Sequence, residues 1–323
     1  MNIDRGKESF TDAEIQELRV QLKAYKDYGD LSWTDLHKAT GVGATTLSAF
    51  VNNTYKGDNA GIAWAVNRFF LAEEARQELE LKAPIVPPYQ VTPTSRQMMA
   101  QLQFARRGKL VVIAGNPGVG KTATFDQFCS QTPNAFKATM DPANRSLTSM
   151  LQAVLKSCGS TSKYGGRAFN LVEAICDRLD GMNAVIIVDE AQLLDDDSVE
   201  QLRAIHDRLK CGLCLAGNPE IMKRVQRGAK TAAFAQIHSR VAWPAYYGNP
   251  TAADLDVIIR AWGIEKPAQD KFLRTIALQS GGLRTIAQVM EMATLTARAT
   301  DEDVTLSHIK AAYQQRQLTH QAA

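Results

Sequence analysis

The chain has 323 residues, 45% of them hydrophobic and 22% charged, with a formal net charge of +3, the make-up of an ordinary globular protein with room for two or three domains. So weak an overall field excludes nucleic-acid binding driven by bulk charge, and any such affinity must come from locally placed Lys and Arg. No apolar run approaches the roughly 20 residues of a membrane helix, no leader-like segment opens the chain, and five cysteines without framework spacing fit a reducing compartment. The expectation is a soluble, cytoplasmic protein with no membrane partner.

From Thr11 to about Tyr28, Ile15, Leu18, Leu22 and Tyr25 recur at three- and four-residue spacing behind a Thr11/Glu14 capping box, which predicts an amphipathic helix. Next comes "DLHKATGVGATTLSAFVNN". Leu36, Gly41, Val42, Leu47 and Phe50 have the spacing of a helix-turn-helix, with a glycine at the tight turn and apolar residues beneath the second helix. In that register Thr45, Thr46, Ser48, Asn52 and Lys56 face a DNA groove. His37 stands where the motif usually has a small residue, and acidic residues outnumber basic ones over residues 1–85, so a protein-contact role for this domain stays open beside the DNA-binding one.

A last helical stretch, "AGIAWAVNRFFLAEEARQELELK", runs into four prolines between residues 84 and 93. Proline removes backbone donors and stiffens the chain, so a linker is expected there. The boundaries read as a helical domain over 1–83, a proline-rich linker over 84–93, an α/β domain over 94–248 and a helical lid over 249–323.

Beyond the linker, strand-like runs "KLVVIAG", "AFKATM", "AVIIVDEA" and "GLCLAGN" alternate with amphipathic helices, the pattern of a parallel sheet covered by helices. The first run leads into "GNPGVGKT", a phosphate-binding loop between a strand and a helix. Glycines there let the backbone amides of Asn116, Pro117, Gly118, Val119 and Gly120 wrap phosphates as far as proline's missing N–H permits, while Lys121 adds a point charge and Thr122 a hydroxyl for Mg2+. The strand "AVIIVDEA" ends in Asp189, a carboxylate for Mg2+, followed by Glu190, able to orient and polarise an attacking water. At the end of "CLAGN", Asn218 can hold that water; its alternative is a turn former before Pro219. Cys211 and Cys214 form a CxxC, yet lie three apart on a buried strand and so face opposite sides. From about Thr251 only helices follow.

These elements, in this order and spacing, resemble the AAA+ ATPases over roughly residues 95–310: a parallel-sheet P-loop core with a C-terminal helical lid, here preceded by a small all-α helix-turn-helix domain. The resemblance implies ATP and Mg2+ as cofactors, Asn218 as a sensor, an arginine finger at Arg240 in "HSRVAW" with Arg224 and Arg227 as competitors, and a second sensor at Arg284 in "GGLRTIAQ". With "SAFVNNTYKGDN" leading "GNPGVGKT", "VIIVDEAQLL", "LAGN", "FAQIHSRV" and "GGLRTIAQ", nearly the whole chain resembles the phage Mu transposition protein B family of transposon target-selection ATPases. That implies an ATP-bound helical homo-oligomer on double-stranded DNA, a target marked for a transposase, and hydrolysis that releases the DNA, in a bacterial or phage-infected cell. Sequence-independent DNA contacts would then come from basic loop residues, with Arg145, Lys163 and Arg167 as candidates. Two other readings share the same motifs: a helicase loader or replication initiator, and a helix-turn-helix transcription regulator with an ATP-sensing domain.

Overall fold

A computed structural model of the protein describes residues 10–82, 86–160, 166–227, 232–279 and 281–321. The chain forms two compact units, Met1–Ala83 and Pro84–Ala323. No described helix is long and apolar enough to cross a membrane.

The described residues of the first unit form four helices: α1 (Asp12–Tyr28), α2 (Trp33–Thr40), α3 (Ala44–Val51) and α4 (Asn59–Lys82). The Thr11/Glu14 capping box is present, with Thr11 N donating to Glu14 Oε2 at 2.9 Å. Ile15, Leu18 and Leu22 of α1 pack with Leu36, Leu47, Phe50 and Val66 into one core. The turn between α2 and α3 passes through Gly41 at φ +75°, where a Cβ would meet nothing within 4 Å; the backbone conformation rather than space calls for glycine. His37, the atypical residue in that motif, bonds the turn, with Nδ1 3.0 Å from the Val42 carbonyl oxygen. Leu47 and Phe50 face the core, leaving Thr45, Asn52 and Lys56 exposed and Thr46 and Ser48 half-buried.

In the second unit, β1 (Leu110–Gly115), β2 (Ala135–Thr139), β3 (Val185–Asp189), β4 (Gly212–Gly217) and β5 (Val241–Tyr247) make one sheet in the order β2-β3-β4-β1-β5, parallel throughout. Helices α5 (Pro93–Ala105), α6 (Lys121–Gln131), α7 (Leu147–Ser157), α8 (Ala168–Leu179), α9 (Asp196–Leu209), α10 (Pro219–Arg227) and α11 (Ala232–Arg240) accompany it. Successive strand residues alternate between two cores: Leu110, Val112, Leu213 and Leu215 enter one, while Val111, Ile113, Cys214 and Ala216 enter the other. Cys211 lies in the first core and Cys214 in the second, so the CxxC splits across the sheet.

Four strands match the sequence reading and the fifth is additional. β5 carries Pro244 and leaves Trp243 and Tyr246 exposed, so it shows no buried aliphatic run; a proline inside a strand is tolerated at a sheet edge, where β5 lies. A third core belongs to the closing helices α12 (Ala252–Ala261), α13 (Pro267–Ala277), α14 (Gly282–Ala299) and α15 (Leu306–Gln321).

Candidate functional site

The loop from β1 to α6 is fastened at its start. Asn116 N donates to the Tyr247 carbonyl at 2.9 Å, and the Asn116 side chain accepts from Tyr246 Oη at 2.8 Å and donates to Asn249 Oδ1 at 3.0 Å. Gly118 and Gly120 take φ +80° and +96°, a region that costs an L side chain roughly 1–2 kcal/mol. Val119 turns inward to the core. Lys121 Nζ donates to the carbonyls of Gly115 at 2.8 Å and Asn116 at 3.2 Å. Burial pushes its pKa below the ordinary lysine value, Asp189 and Glu190 pull it back, and Arg284 pushes it down again.

Thr122 Oγ1 donates to Asp189 Oδ2 at 2.8 Å. Asp189, the last residue of β3, is fully buried. Its burial raises the carboxyl pKa against the lowering effect of hydrogen bonds from Thr122 and the Glu190 N–H. A hydroxyl beside a carboxylate is a hard oxygen donor pair that suits Mg2+, which keeps several waters and takes one or two protein oxygens plus phosphates. Among the described residues no group of three or more His, Cys, Asp or Glu is arranged to hold a metal ion.

Around these residues lies a cavity of about 550 Å3, within the range of small-ligand sites. Its polar lining is Lys121, Thr122, Glu190, Asn218 and Arg284 beside the loop backbone from Pro117. Its apolar and aromatic wall includes Val86, Pro87, Pro88 and Tyr89, Ile258 of α12 and Trp262 just after that helix. The Tyr89 hydroxyl donates to Thr124 Oγ1 at 3.2 Å, tying that wall to α6. The stretch expected as a free linker is therefore, from Val86 onward, part of the cavity.

The lid touches the loop directly: Leu283 N donates to the Gly118 carbonyl at 2.9 Å, and a Cβ on Gly118 would lie 1.8 Å from the Gly281 carbonyl oxygen. Arg284, in the first turn of α14, is thereby brought into the cavity lining. Asn218 also caps α10, its Oδ1 accepting from Glu220 N at 2.8 Å. Its cavity position and the turn-forming alternative coexist in one side chain.

Arg240 lies outside this cavity. It ends α11 and pairs with Asp207, with Nε at 2.8 Å from Oδ2. Arg224 is turned inward, donating to the carbonyls of Gln192 at 3.1 Å and Leu194 at 2.7 Å and pairing with Asp196; the side chain of Arg227 lies outside the described residues. Arg145 is exposed after β2, and Arg167 is exposed as the N-cap of α8. Lys163 lies outside the described residues.

Residues 105–225 match the family model for an AAA domain, and residues 239–316 match that for the C terminal of the Mu B transposition protein. The chain is 30% identical over 271 residues to the Mu-like prophage FluMu DNA transposition protein B of Haemophilus influenzae, covering 83% of this chain and 93% of that protein. The chain belongs to the Mu B transposition protein family. Its similarity to the ATP-dependent target DNA activator B of Escherichia phage Mu is 27% over 305 residues, 94% of this chain and 96% of the relative. Among solved structures, the ORC2 protein of Aeropyrum pernix in its ADP form superposes with a TM-score of 0.56 at 15% identity, covering 73% of this chain and 72% of that one. Cdc6p of Pyrobaculum aerophilum gives 0.52 at 15%, over 72% and 70%; these two share the fold. This Mu B family chain is an AAA-class ATPase.

Sequence reasoning passed over Val86 to Tyr89, Ile258 and Trp262 as cavity-lining residues, and Asp254, which joins lid to core. Ile258 and Trp262 lie four apart on one helix face, a signal indistinguishable from core packing.

Proposed function

We propose that this chain binds ATP with Mg2+ in the cavity between the α/β core and the lid, assembles in that state on double-stranded DNA, presents the DNA as a transposition target to a transposase, and disassembles on hydrolysis. The observation that carries the reading is the convergence of Lys121, Thr122 with its partner Asp189, Glu190, Asn218 and Arg284 on one cavity whose wall also carries apolar and aromatic groups. Its biological setting, the cytoplasm of a bacterial or phage-infected cell, is supported by relatives named for ATP-dependent target DNA activation and DNA transposition.

In this reading Thr122 and Asp189 would hold Mg2+, which when bound supplies positive charge against the β- and γ-phosphates. Lys121 would leave its two carbonyl acceptors for phosphate oxygens. Glu190 would accept a hydrogen bond from the attacking water, and Asn218 would hold that water on its other side. Arg284 would read the γ-phosphate from the lid. Arg240, outside the lining of its own cavity, would act on a neighbouring copy, so that transition-state charge is stabilised only after assembly into a helical homo-oligomer. Arg145, Lys163 and Arg167 would contact phosphates along the duplex, and Thr45, Thr46, Ser48, Asn52 and Lys56 would offer a second DNA surface from the first unit.

A gel shift on several unrelated duplexes, with and without ATP, tests this. Cooperative, ATP-dependent binding to all of them is expected. Selective binding to one sequence, or binding indifferent to ATP, would refute it.

A further inference from the structure

Glu190 is followed by a 3-10 turn, Ala191–Leu193, and the middle residue of that turn, Gln192, has both ends of its amide engaged. Nε2 donates to Glu190 Oε2 at 2.5 Å, and Oε1 accepts from the Asn218 backbone N–H at 3.2 Å. The second bond fixes the first: only the amide oxygen can accept from an N–H, so the amino group is turned toward the carboxylate. Two further features hold the bridge in place. The Gln192 and Leu194 carbonyls accept from Arg224 at 3.1 and 2.7 Å, which fastens the turn to α10. The amide also crosses Gly217, where a Cβ would lie 2.0 Å from Gln192 Oε1; any larger residue in β4 would block its path.

Glu190 itself sits at φ +57°, so its backbone departs from the strand just where its carboxylate must be aimed. Its side chain has three rotatable bonds, and the only side-chain donor recorded on it among the described residues is Gln192. Gln192 is not among the residues lining the cavity, so its action on a bound nucleotide passes through others.

We propose that Gln192 is a positioning residue that aims the Glu190 carboxylate and ties it to the end of β4, so that the groups on either side of the attacking water, Glu190 and Asn218, move as one. The proposal rests on the reading of Glu190 as the water-orienting base. Misplacing a reacting group by about 1 Å costs on the order of 100-fold in rate, so losing this bridge lowers kcat by roughly 10- to 100-fold while leaving KM for ATP within about twofold.

The test is steady-state ATPase of the full chain with duplex DNA for five variants: Glu190→Gln, Gln192→Ala, Gln192→Glu, Gly217→Ala and the Gln192→Ala/Gly217→Ala double. Gln192→Glu keeps the length and the acceptor for Asn218 N–H but removes the donor to Glu190, and is expected to lose kcat as Gln192→Ala does. Gly217→Ala, which displaces the amide without touching Glu190, is expected to lower kcat in the parent and to have no further effect once Gln192 is Ala, since contacting residues are non-additive. Parent-like kcat in both Gln192 variants beside an inactive Glu190→Gln overturns the proposal alone, as does an additive Gly217→Ala loss or a fall confined to KM. Parent-like turnover by Glu190→Gln overturns the reading of Glu190 and the proposal with it.

Discussion

Asp254 is a buried point at which the lid is hydrogen-bonded to the core. The residue is completely buried in the first turn of α12 and accepts four hydrogen bonds: from Thr94 N at 2.9 Å and Thr94 Oγ1 at 2.7 Å on α5, and from Thr251 N and Oγ1 at 2.8 Å each. Thr94 N uses Oδ1 while the other three use Oδ2. Replacing Asp254 by Asn puts an amino group at one of those oxygens, and the threonine hydroxyls can rotate to suit it. A backbone N–H cannot, so one of Thr94 N or Thr251 N is orphaned in either orientation, at about 1–3 kcal/mol, and the remaining bonds lose their charge assistance. The expected loss is roughly 2–4 kcal/mol at pH 7, read by urea denaturation of the parent and the Asn variant. Burial acts to raise the Asp254 pKa, but the bonds from Thr94 and Thr251 outweigh it and hold the pKa below the ordinary 3.8. A depressed folded pKa means stability that is full above the unfolded value and lost as pH falls from 3.8 through the lower folded value. The parent's advantage over Asp254→Asn is thus constant from pH 7 to 5 and shrinks below that point. Equal stability of the two proteins at pH 7, or a gap that stays unchanged down to pH 2.5, would refute the reasoning.

The other perturbations address the cavity and the first unit. Glu190→Gln is expected to keep ATP binding and lose at least about 100-fold in turnover, so that complexes on DNA become long-lived; rapid disassembly by this variant counts against Glu190 as the water-orienting base. Trp262→Ala removes an aromatic group from the cavity wall, where it is expected to stack on the base, and should weaken ATP affinity about tenfold, since such contacts are worth roughly 0.5–1.5 kcal/mol beyond the area they bury; an isothermal titration that finds less than a twofold change rejects that role. Deleting residues 1–83 should preserve ATP binding and weaken DNA affinity with a shallower salt dependence. Unchanged DNA affinity would reduce the first unit to protein contact.

How legible each part was in the sequence follows from how local its physics is. The phosphate loop was plain because glycines, a lysine and a threonine at fixed spacing between a strand and a helix act within eight residues, whereas Arg284 was reached only through the family resemblance of "GGLRTIAQ". Four strands announced themselves as aliphatic runs, whereas β5 carries a proline and leaves half-exposed aromatics at a sheet edge, where that signal vanishes. The apolar wall was hidden because Val86 to Tyr89 and Trp262 come together only in three dimensions. Asp254 carries no local signal of its second partner, Thr94, 160 positions away. Gln192 carries none either, since its place depends on Gly217 in the next strand.

Electron microscopy of the purified chain on linear duplex DNA, with a non-hydrolysable ATP analogue and in parallel with the Lys121→Ala variant, bears most directly on the claim that a nucleotide held between core and lid governs assembly. The account predicts continuous coating of the duplex by the parent with the analogue, bare DNA without nucleotide, and bare DNA for Lys121→Ala under every condition. Isolated single copies on the duplex at saturating analogue, or normal coating by Lys121→Ala, would contradict it.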